Sequence, residues 1–302
     1  MSQPRPFTAC LITFNEEANL EEALESVAFA DEIVVVDSHS SDRTRDIATA
    51  FRGCDRRGRE VRPRVIGRDW PGHVEQKNFA IDQASHEWVL CLDADERVTP
   101  ELRVALEAAL TDVDKNVQAR VDGFSMARRT FHLGRWILRG GWYPDRKVRL
   151  FRRTRGRWGG VNPHDHVYVE GKVRPLQGDL LHYSYKNLAE HLRTINSFTD
   201  IAAREKFERG VGFPVLRMLT QPPFKFLKMF VLKQGFREGV AGFVIAVLGG
   251  YYVFLKYAKL WELRLNAWRA TPTSKGAAAE VRGGGFGVHP GDPEASECAS
   301  ST

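Results

Sequence analysis

Glu87-Trp88-Val89-Leu90-Cys91-Leu92-Asp93-Ala94-Asp95-Glu96 sets five consecutive apolar residues directly before two aspartates one position apart. A strand with one wet face alternates apolar and polar side chains. A strand without that alternation is covered on both faces, as in a parallel sheet with helices packed on either side. Working outward, Phe7 to Phe14 is a similar, mostly apolar run, and Ile33 to Val36 is another that ends in Asp37. Val61 to Ile66 reads as a further strand. Between the first two runs Leu20, Ala23, Leu24 and Val27 recur at helical spacing. Asn15 is the expected N-cap of that helix, with Glu16 and Glu17 in its first turn, where the helix dipole favours negative charge. His73 to Ala84 reads as a second helix. Thr99 caps a third, with Pro100 at its first position and Leu102, Leu106 and Leu110 on one face. Strands and helices in alternation make the first hundred residues an α/β unit with a mostly parallel sheet flanked by helices.

The chain has 302 residues, 43% of them hydrophobic and 27% charged, enough for one large domain or two modest ones with a real core. These values exclude wholesale disorder, a collagen-like fibre and a multi-span transporter. Cys10, Cys54, Cys91 and Cys298 show no paired spacing, which excludes a disulfide scaffold and a zinc ribbon and points to a reducing compartment. The opening residues lack a basic segment, a long apolar core and a cleavage site, so no export is expected. The net charge of +6 is uneven. Arg128 to Arg157 carries eleven Lys or Arg and one acid, Asp145, while Phe213 to Leu260 carries seven and one, Glu238. Such surfaces favour anionic partners.

In open α/β sheets ligands bind beyond the carboxyl ends of the strands. Three polar clusters fall at such ends: Asn15-Glu16-Glu17, Asp37 to Thr44, and Asp93-Ala94-Asp95-Glu96. In extended backbone Asp93 and Asp95 face the same side. Carboxylates so close repel unless a cation or donor lies between them, and Mg²⁺ binds through one or two carboxylates plus substrate phosphates. An acidic turn before the Thr99-Pro100 helix start is the plainer alternative. Asp37 and the serine-rich turn after it can accept hydrogen bonds from a ribose or a base edge, while Asp42 caps a helix starting near Arg43. Lys77, on the second helix, is either a point charge for a diphosphate or a solvated surface residue.

Taken together, Thr13-Phe14-Asn15-Glu16-Glu17, Val36-Asp37-Ser38, Asp42-Arg43-Thr44, Gln76-Lys77-Asn78 and Leu92-Asp93-Ala94-Asp95-Glu96 resemble family 2 glycosyltransferases of the GT-A fold. Gly140-Gly141-Trp142-Tyr143-Pro144-Asp145, Val148-Arg149-Leu150-Phe151-Arg152, Leu181-His182-Tyr183-Ser184-Tyr185 and Lys256-Tyr257-Ala258-Lys259-Leu260-Trp261-Glu262 are similar to the bacterial lipopolysaccharide inner-core β-glucosyltransferases. The resemblance covers about residues 7 to 265, with its motifs in order. It implies a nucleotide-sugar donor bordered by Asn15 and Glu17, with Asp37 and Ser38 at uracil or ribose and Lys77 and Asn78 near the base or diphosphate. It implies that Asp93 faces the ribose and that Asp95, together with Asp93, holds Mg²⁺ or Mn²⁺, which neutralises charge on the departing diphosphate. Substrate contacts from Trp142, Tyr143, Arg149, His164 and His182 follow from the same motifs. The family places its base after a histidine, commonly as His-Glu. In Pro163-His164-Asp165-His166 the equivalent is Asp165, one methylene shorter, and Asp145 in the Trp-Tyr-Pro-Asp turn competes for the role.

Beyond about residue 120 the texture changes. Short strand-like pieces (Gly123 to Arg128, Lys147 to Phe151, Leu180 to Tyr185) lie among Gly, Trp and Arg, and Asn187 to about Trp268 is helical and increasingly apolar. Aromatics among the arginines can stack on bases or on sugar faces; the fold context favours sugars with phosphates held by arginine, and no nucleic-acid partner is expected. Gly239 to Leu255 has no charge over seventeen residues, the lower end of the roughly 17 to 25 that a spanning helix needs, and its glycines weaken both helix and insertion. Pro223 to Phe236 mixes large apolar residues with Lys225, Lys228 and Lys233, the composition of a helix lying in a lipid interface. Monotopic attachment to the cytoplasmic leaflet is expected, against a buried helix pair or a true span.

Four segments result: a nucleotide-sugar half (1–120), an acceptor half (121–190), a helical membrane-associating region (191–270) and a disordered tail (271–302). The expected activity is inverting, metal-dependent transfer of a hexose, glucose from UDP-glucose, to a lipopolysaccharide core or other lipid-linked acceptor. A polyprenyl-phosphate glycosyltransferase and a non-catalytic membrane-bound adaptor with a vestigial nucleotide pocket are the rivals.

Overall fold

The expected parallel strands form one half of a larger sheet. In a computed structural model, which describes residues 4–113, 121–160 and 165–270, the chain begins β1 (Phe7–Thr13), α1 (Leu20–Val27), β2 (Glu32–Asp37), α2 (Thr44–Ala50). A small hairpin of β3 (Gly53–Cys54) and β4 (Glu60–Val61) leads to β5 (Pro63–Gly67), α3 (His73–Asp82), β6 (Trp88–Asp93), β7 (Glu96–Val98) and α4 (Pro100–Asp112). Strands β5, β2, β1 and β6 lie side by side and parallel. Their side chains alternate between two cores. Ala9, Leu11, Ile33, Val35, Leu90 and Leu92 pack with Leu20, Leu24 and Val27 of α1 and with α4, while Cys10, Val34, Val36, Val89 and Cys91 pack with Ala80 and Ile81 of α3. Each such fully buried aliphatic side chain is worth roughly 1.5–3 kcal/mol.

Two local expectations change and a third holds. The strand expected over Val61 to Ile66 splits, with Val61 in the β3–β4 hairpin and β5 starting at Pro63. Asn15 does not cap α1: it has a positive φ of 56° in the loop, the helix begins at Leu20, and Glu21 and Glu22 occupy its first turn. Asn19 occupies the cap position, so Asn15 is free for a tertiary contact. Thr99 does cap α4, accepting a hydrogen bond from Leu102 N at 3.2 Å.

The second half completes the sheet: β8 (Gly123–His132), β9 (Arg135–Ile137), β10 (Asp145–Arg152) and β13 (Val173–His182), with β11 (Gly156–Gly159) and β12 (His166–Val169) in a separate hairpin. The order is β5-β2-β1-β6-β10-β8-β13-β7, with β10 antiparallel to β6 and β7 antiparallel to β13. Two consequences bear on the site. The carboxyl ends of β1, β2 and β6 align, with Thr13 opposite Asp37 and Ile12 opposite Asp93. The register of β10 on β8 slips between Val148 and Leu150, a bulge at Arg149 of the kind that re-aims a side chain.

The chain ends in α5 (Leu188–Glu208), α6 (Pro214–Leu227), a π-helical turn (Lys228–Leu232), a 3-10 turn (Gly235–Glu238) and α7 (Gly239–Ala270). Among the described residues, those up to Leu263 form one compact unit, and the last turns of α7, from Arg264, belong to a second. The expected tail, 271–302, lies outside the described residues. The glycines of α7 do not interrupt it: a Cβ at Gly242 would lie 1.9 Å from Gly235 O, and one at Gly249 would lie 2.4 Å from Met229 Sδ. They are close-packing positions.

Candidate active site

A cleft of about 650 Å³ opens where the strand ends align, lined among others by Ser38, Lys77, Asp93, Asp95, Asp165 and His182. Lys77 sits on the buried face of α3 and is the hinge of the arrangement. Its Nζ lies 3.0 Å from Asp93 Oδ1 and 2.8 Å from Asp165 Oδ2, and 4.1 Å from the centre of the Trp158 ring. The solvated-surface alternative for Lys77 is thereby excluded: its side chain is 10% exposed.

From the bulge, Arg149 reaches the other side of the same acid. Its Nη2 lies 3.0 Å from Asp93 Oδ2, and Nε and Nη2 lie 2.9 and 2.7 Å from the two oxygens of Glu96, which is wholly buried. Arg128 adds a contact to Glu96 at 3.3 Å. Burial alone would raise the Asp93 carboxyl, but Lys77 and Arg149 outweigh it and hold that acid well below the usual carboxylate range. Burial opposes the charge on Lys77 as well, yet the neighbouring Asp93 raises its ammonium above the ordinary value. His73, which also lines the cleft, is lowered by burial and then by Lys77, and so favours its neutral form.

Asp95 is the acid that could hold a divalent cation. Tyr183 N donates to Asp95 O, and β13 pairs His182 with Glu96, so Asp95 Oδ2 comes to 3.2 Å from His182 Nε2. The other ring nitrogen, Nδ1, meets Thr130 Oγ1 at 3.2 Å, which fixes the ring with Nε2 directed at Asp95 and the cleft. A carboxylate and an imidazole facing one cleft suit a cation that takes its other ligands from phosphates and water. Among the described residues no group of three or more His, Cys, Asp or Glu could hold a metal alone. Both oxygens of Asp93, the other acid expected at the metal, meet a cation of the protein, Lys77 on one side and Arg149 on the other.

The remaining candidates separate into those at the cleft and those behind it. Ser38 lines the cleft and accepts a hydrogen bond from Gln76 Nε2 at 3.0 Å. Asp37 is fully buried one residue earlier and accepts from Thr13 Oγ1 and from Ser40 N and Oγ. Asn15 accepts from Ser41 N at 2.9 Å and Glu17 from Arg43 N at 3.1 Å, so both fasten the β1 loop to the β2 loop, while Glu16 between them is the residue that lines the cleft. Asp42 accepts from Thr44 N at the start of α2, as expected. Asn78 turns away from the cleft and makes a two-way pair with the backbone of Trp158, 3.0 Å in each direction. Tyr143 donates to Asp179 Oδ1 at 3.0 Å, and Trp142 stacks on His132 beside a different cavity.

Of the two proposed bases, Asp165 stands in the cleft. Asp145 does not: it is held by Arg128 at 2.8 Å and Lys147 at 3.2 Å and lines a neighbouring cavity beyond His182. His164 lies outside the described residues. Sequence reading overlooked Glu96 as the clamp on Arg149, Trp158 as the ring beneath Lys77, and Trp70, His73 and Phe198 at the cleft. Glu96 was quoted with its motif, and its burial between two arginines is the signal that only the assembled sheet supplies.

Comparison with known proteins agrees with this geometry. Residues 8–169 match the family described as Glycosyl transferase family 2. The chain is 31% identical over 269 residues to the lipopolysaccharide core biosynthesis glycosyltransferase LpsC of Rhizobium meliloti (strain 1021), covering 88% of this chain and 95% of that one. It is 29% identical to the uncharacterized glycosyltransferase RT0209 of Rickettsia typhi, covering 85% and 87%. Among solved structures, the mannosyltransferase PcManGT of Pyrobaculum calidifontis, in complex with GDP-Man and Mn²⁺, superposes with a TM-score of 0.51 at 17% identity, covering 86% of this chain and 87% of that one; this is a likeness of fold, and the fold is GT-A. The acids at the aligned strand ends thus belong to a chain that is a member of glycosyl transferase family 2.

Proposed function

We propose that this enzyme is an inverting, metal-assisted hexosyltransferase that moves glucose from UDP-glucose onto a sugar of a lipopolysaccharide inner core, working at the cytoplasmic face of the membrane. The observation that carries the reading is that Asp165 comes from a distant part of the chain to meet Asp93 at Lys77, in the cleft that Asp95 also lines. LpsC, similar along almost its whole length, is named for core biosynthesis, and that supports the acceptor class.

The chain's own residues divide the work. Asp95 and His182 would hold Mg²⁺ or Mn²⁺, which as a Lewis acid offsets the charge on the leaving diphosphate. Asp93, kept ionised by Lys77 and Arg149, is oriented to accept from ribose hydroxyls, and Ser38 offers a further polar contact at the neighbouring strand end. Asp165 takes the proton from the acceptor hydroxyl as that oxygen bonds to the anomeric carbon and the bond to the diphosphate breaks on the opposite face. An arriving diphosphate gives Lys77 a third anionic partner and so loosens its hold on Asp165.

Asp165→Asn is the direct test. Transfer to a core acceptor should fall by roughly 10² to 10⁴ in kcat, with the donor KM little changed. Undiminished turnover would favour a second reading, transfer to a polyprenyl phosphate, whose oxygen is already anionic and needs no base. The 2.8 Å contact between Lys77 and Asp165, which occupies a carboxylate oxygen that a base would use, is the observation on that side.

Membrane attachment rests on two apolar stripes. Leu216, Leu219, Phe224 and Leu227 of α6 and Val240, Phe243, Val247, Tyr251 and Phe254 of α7 are exposed at helical spacing, while Ile245, Ala246, Val253, Tyr257 and Leu260 of α7 are buried against the protein. Gly235–Arg269 is long and apolar enough to cross a membrane. A helix with one face committed to protein and the other apolar and bare suits a position in the interface better than a span.

A further inference from the structure

A second cavity, of about 520 Å³, lies between the sheet domain and the C-terminal helices. Its lining includes Lys225, Lys228 and Lys233 together with Trp142, Met229 and Ile245, and no carboxylate. Among the described residues none of the three lysines makes an ion pair. The clustering is electrostatically costly. Burial and then the neighbouring Lys228 lower Lys225, while burial, Lys206 and Lys225 together bring nearby Lys256 down to about 8. The loop that closes the cavity is built onto this cluster: Gly140 N donates to Lys233 O at 2.9 Å, with Gly140 and Gly141 both at positive φ. Positive charge gathered beside apolar side chains, and left uncompensated by the protein, matches an anionic head carried on an apolar body.

We propose that this cavity binds the phosphomonoester headgroup of an anionic lipid. The headgroup oxygens supply the missing counter-charge to Lys225, Lys228 and Lys233, and its first chain carbons lie against Met229 and Ile245. The exposed apolar stripes of α6 and α7 leave the acyl chains a continuous path to the bilayer. Basic pockets beside membrane-facing helices have this preference in general. The site borders the catalytic cleft, since Phe198 lines both cavities, so a lipid held here would set the distance of the cleft from the membrane surface. The binding stands independently of which sugar the enzyme transfers.

The four methionines make the test local. Met229 lines the cavity and Met126 is buried in the sheet core. With the full-length protein labelled at the methionine ε-methyl groups, dihexanoylphosphatidic acid added below its micelle concentration should shift the Met229 resonance saturably and leave Met126 in place. Inorganic phosphate and dihexanoylphosphatidylcholine should bind far more weakly. The double variant Lys225→Gln, Lys228→Gln should bind phosphatidic acid roughly 25-fold less tightly, a factor of about five for each lysine. Arg237→Gln, which removes a charge from the adjoining turn but not from the cavity, should bind as the unaltered protein does. An unchanged Met126 resonance certifies the fold of each variant. The proposal is overturned if phosphatidylcholine or inorganic phosphate matches phosphatidic acid. It is equally overturned if the double variant binds like the unaltered protein, if Arg237→Gln weakens binding as much as the double variant, or if Met229 stays put while the lipid binds elsewhere. None of these readings involves glycosyl transfer, so failure here leaves the proposed reaction untouched.

Discussion

Arg149 shows how one side chain can tie two acids of a site together. It bridges Asp93, which lines the cleft, and Glu96, which is wholly buried. Replacing it with methionine keeps much of the volume but leaves Glu96 only Arg128 and the Asp93 N–H. Breaking a buried pair in this way costs about 3–5 kcal/mol, so urea unfolding of Arg149→Met should show a loss of that order. A loss below about 1 kcal/mol would mean that Arg128 suffices to hold Glu96. At this scale the sequence was legible where chemistry dictates residue type: Asp93, Asp95, Lys77 and Asp165 all reach the cleft. It was illegible where tertiary contact decides. Nothing local distinguishes Lys77, turned inward, from its neighbour Asn78, which is spent on the Trp158 backbone. Arg149 aims inward because of a bulge that no pattern of residues announces.

The helix α5 brings a different kind of dependence. His191 on α5 meets His132 of β8, Nδ1 to Nε2 at 3.1 Å, and stacks on Tyr185 with centroids 4.2 Å apart. Burial, and then the neighbouring His132, lowers His191 to about 4, and burial lowers His132 as well. An unfolded chain takes up a proton at His191 as pH falls through its ordinary value of about 6.5, whereas the folded chain does not until about pH 4. The stabilisation is therefore complete above about pH 6.5 and lost progressively down to about pH 4. Thermal melting should show Tm falling over that window, and His191→Phe should flatten the fall; an equally steep fall in the variant would place the sensitivity elsewhere. Elements were largely legible because the 3.6-residue spacing and the Thr99-Pro100 start are strong signals. The start of α1 was not, since Asn15 and Asn19 are equally good caps in isolation and only the loop contact from Asn15 to Ser41 separates them. The glycines of α7 misled for a related reason: their cost to an isolated helix is real, and the close approach of Gly235 and Met229 that requires them is visible only in the packed chain.

In the molecule as a whole, the candidate cleft and the proposed attachment surface are of opposite kinds. The cleft is charged, and the helical end is apolar and basic. If the α6 stripe enters lipid, Leu219→Glu with Phe224→Glu should reduce co-sedimentation with phosphatidylcholine–phosphatidylglycerol vesicles while leaving the melting temperature unchanged, because both residues are more than 60% exposed. Retained co-sedimentation would assign attachment to another surface. The parallel half of the sheet was readable because strands covered on both faces lose their polar alternation. The second half was harder: β10, β8 and β13 are partly exposed, and their pairing depends on contacts between residues far apart in the chain.

The central claim is that Asp95 and His182, beside the Lys77–Asp93 pair, receive a nucleoside diphosphate together with a divalent cation. Calorimetric titration of UDP into the unaltered protein and into Asp95→Asn, each with and without Mn²⁺, addresses it directly. Tight binding only when Mn²⁺ is present, with that metal-dependent gain lost in Asp95→Asn, is the expected result. Binding of UDP that is indifferent both to Mn²⁺ and to the Asp95 substitution would contradict it.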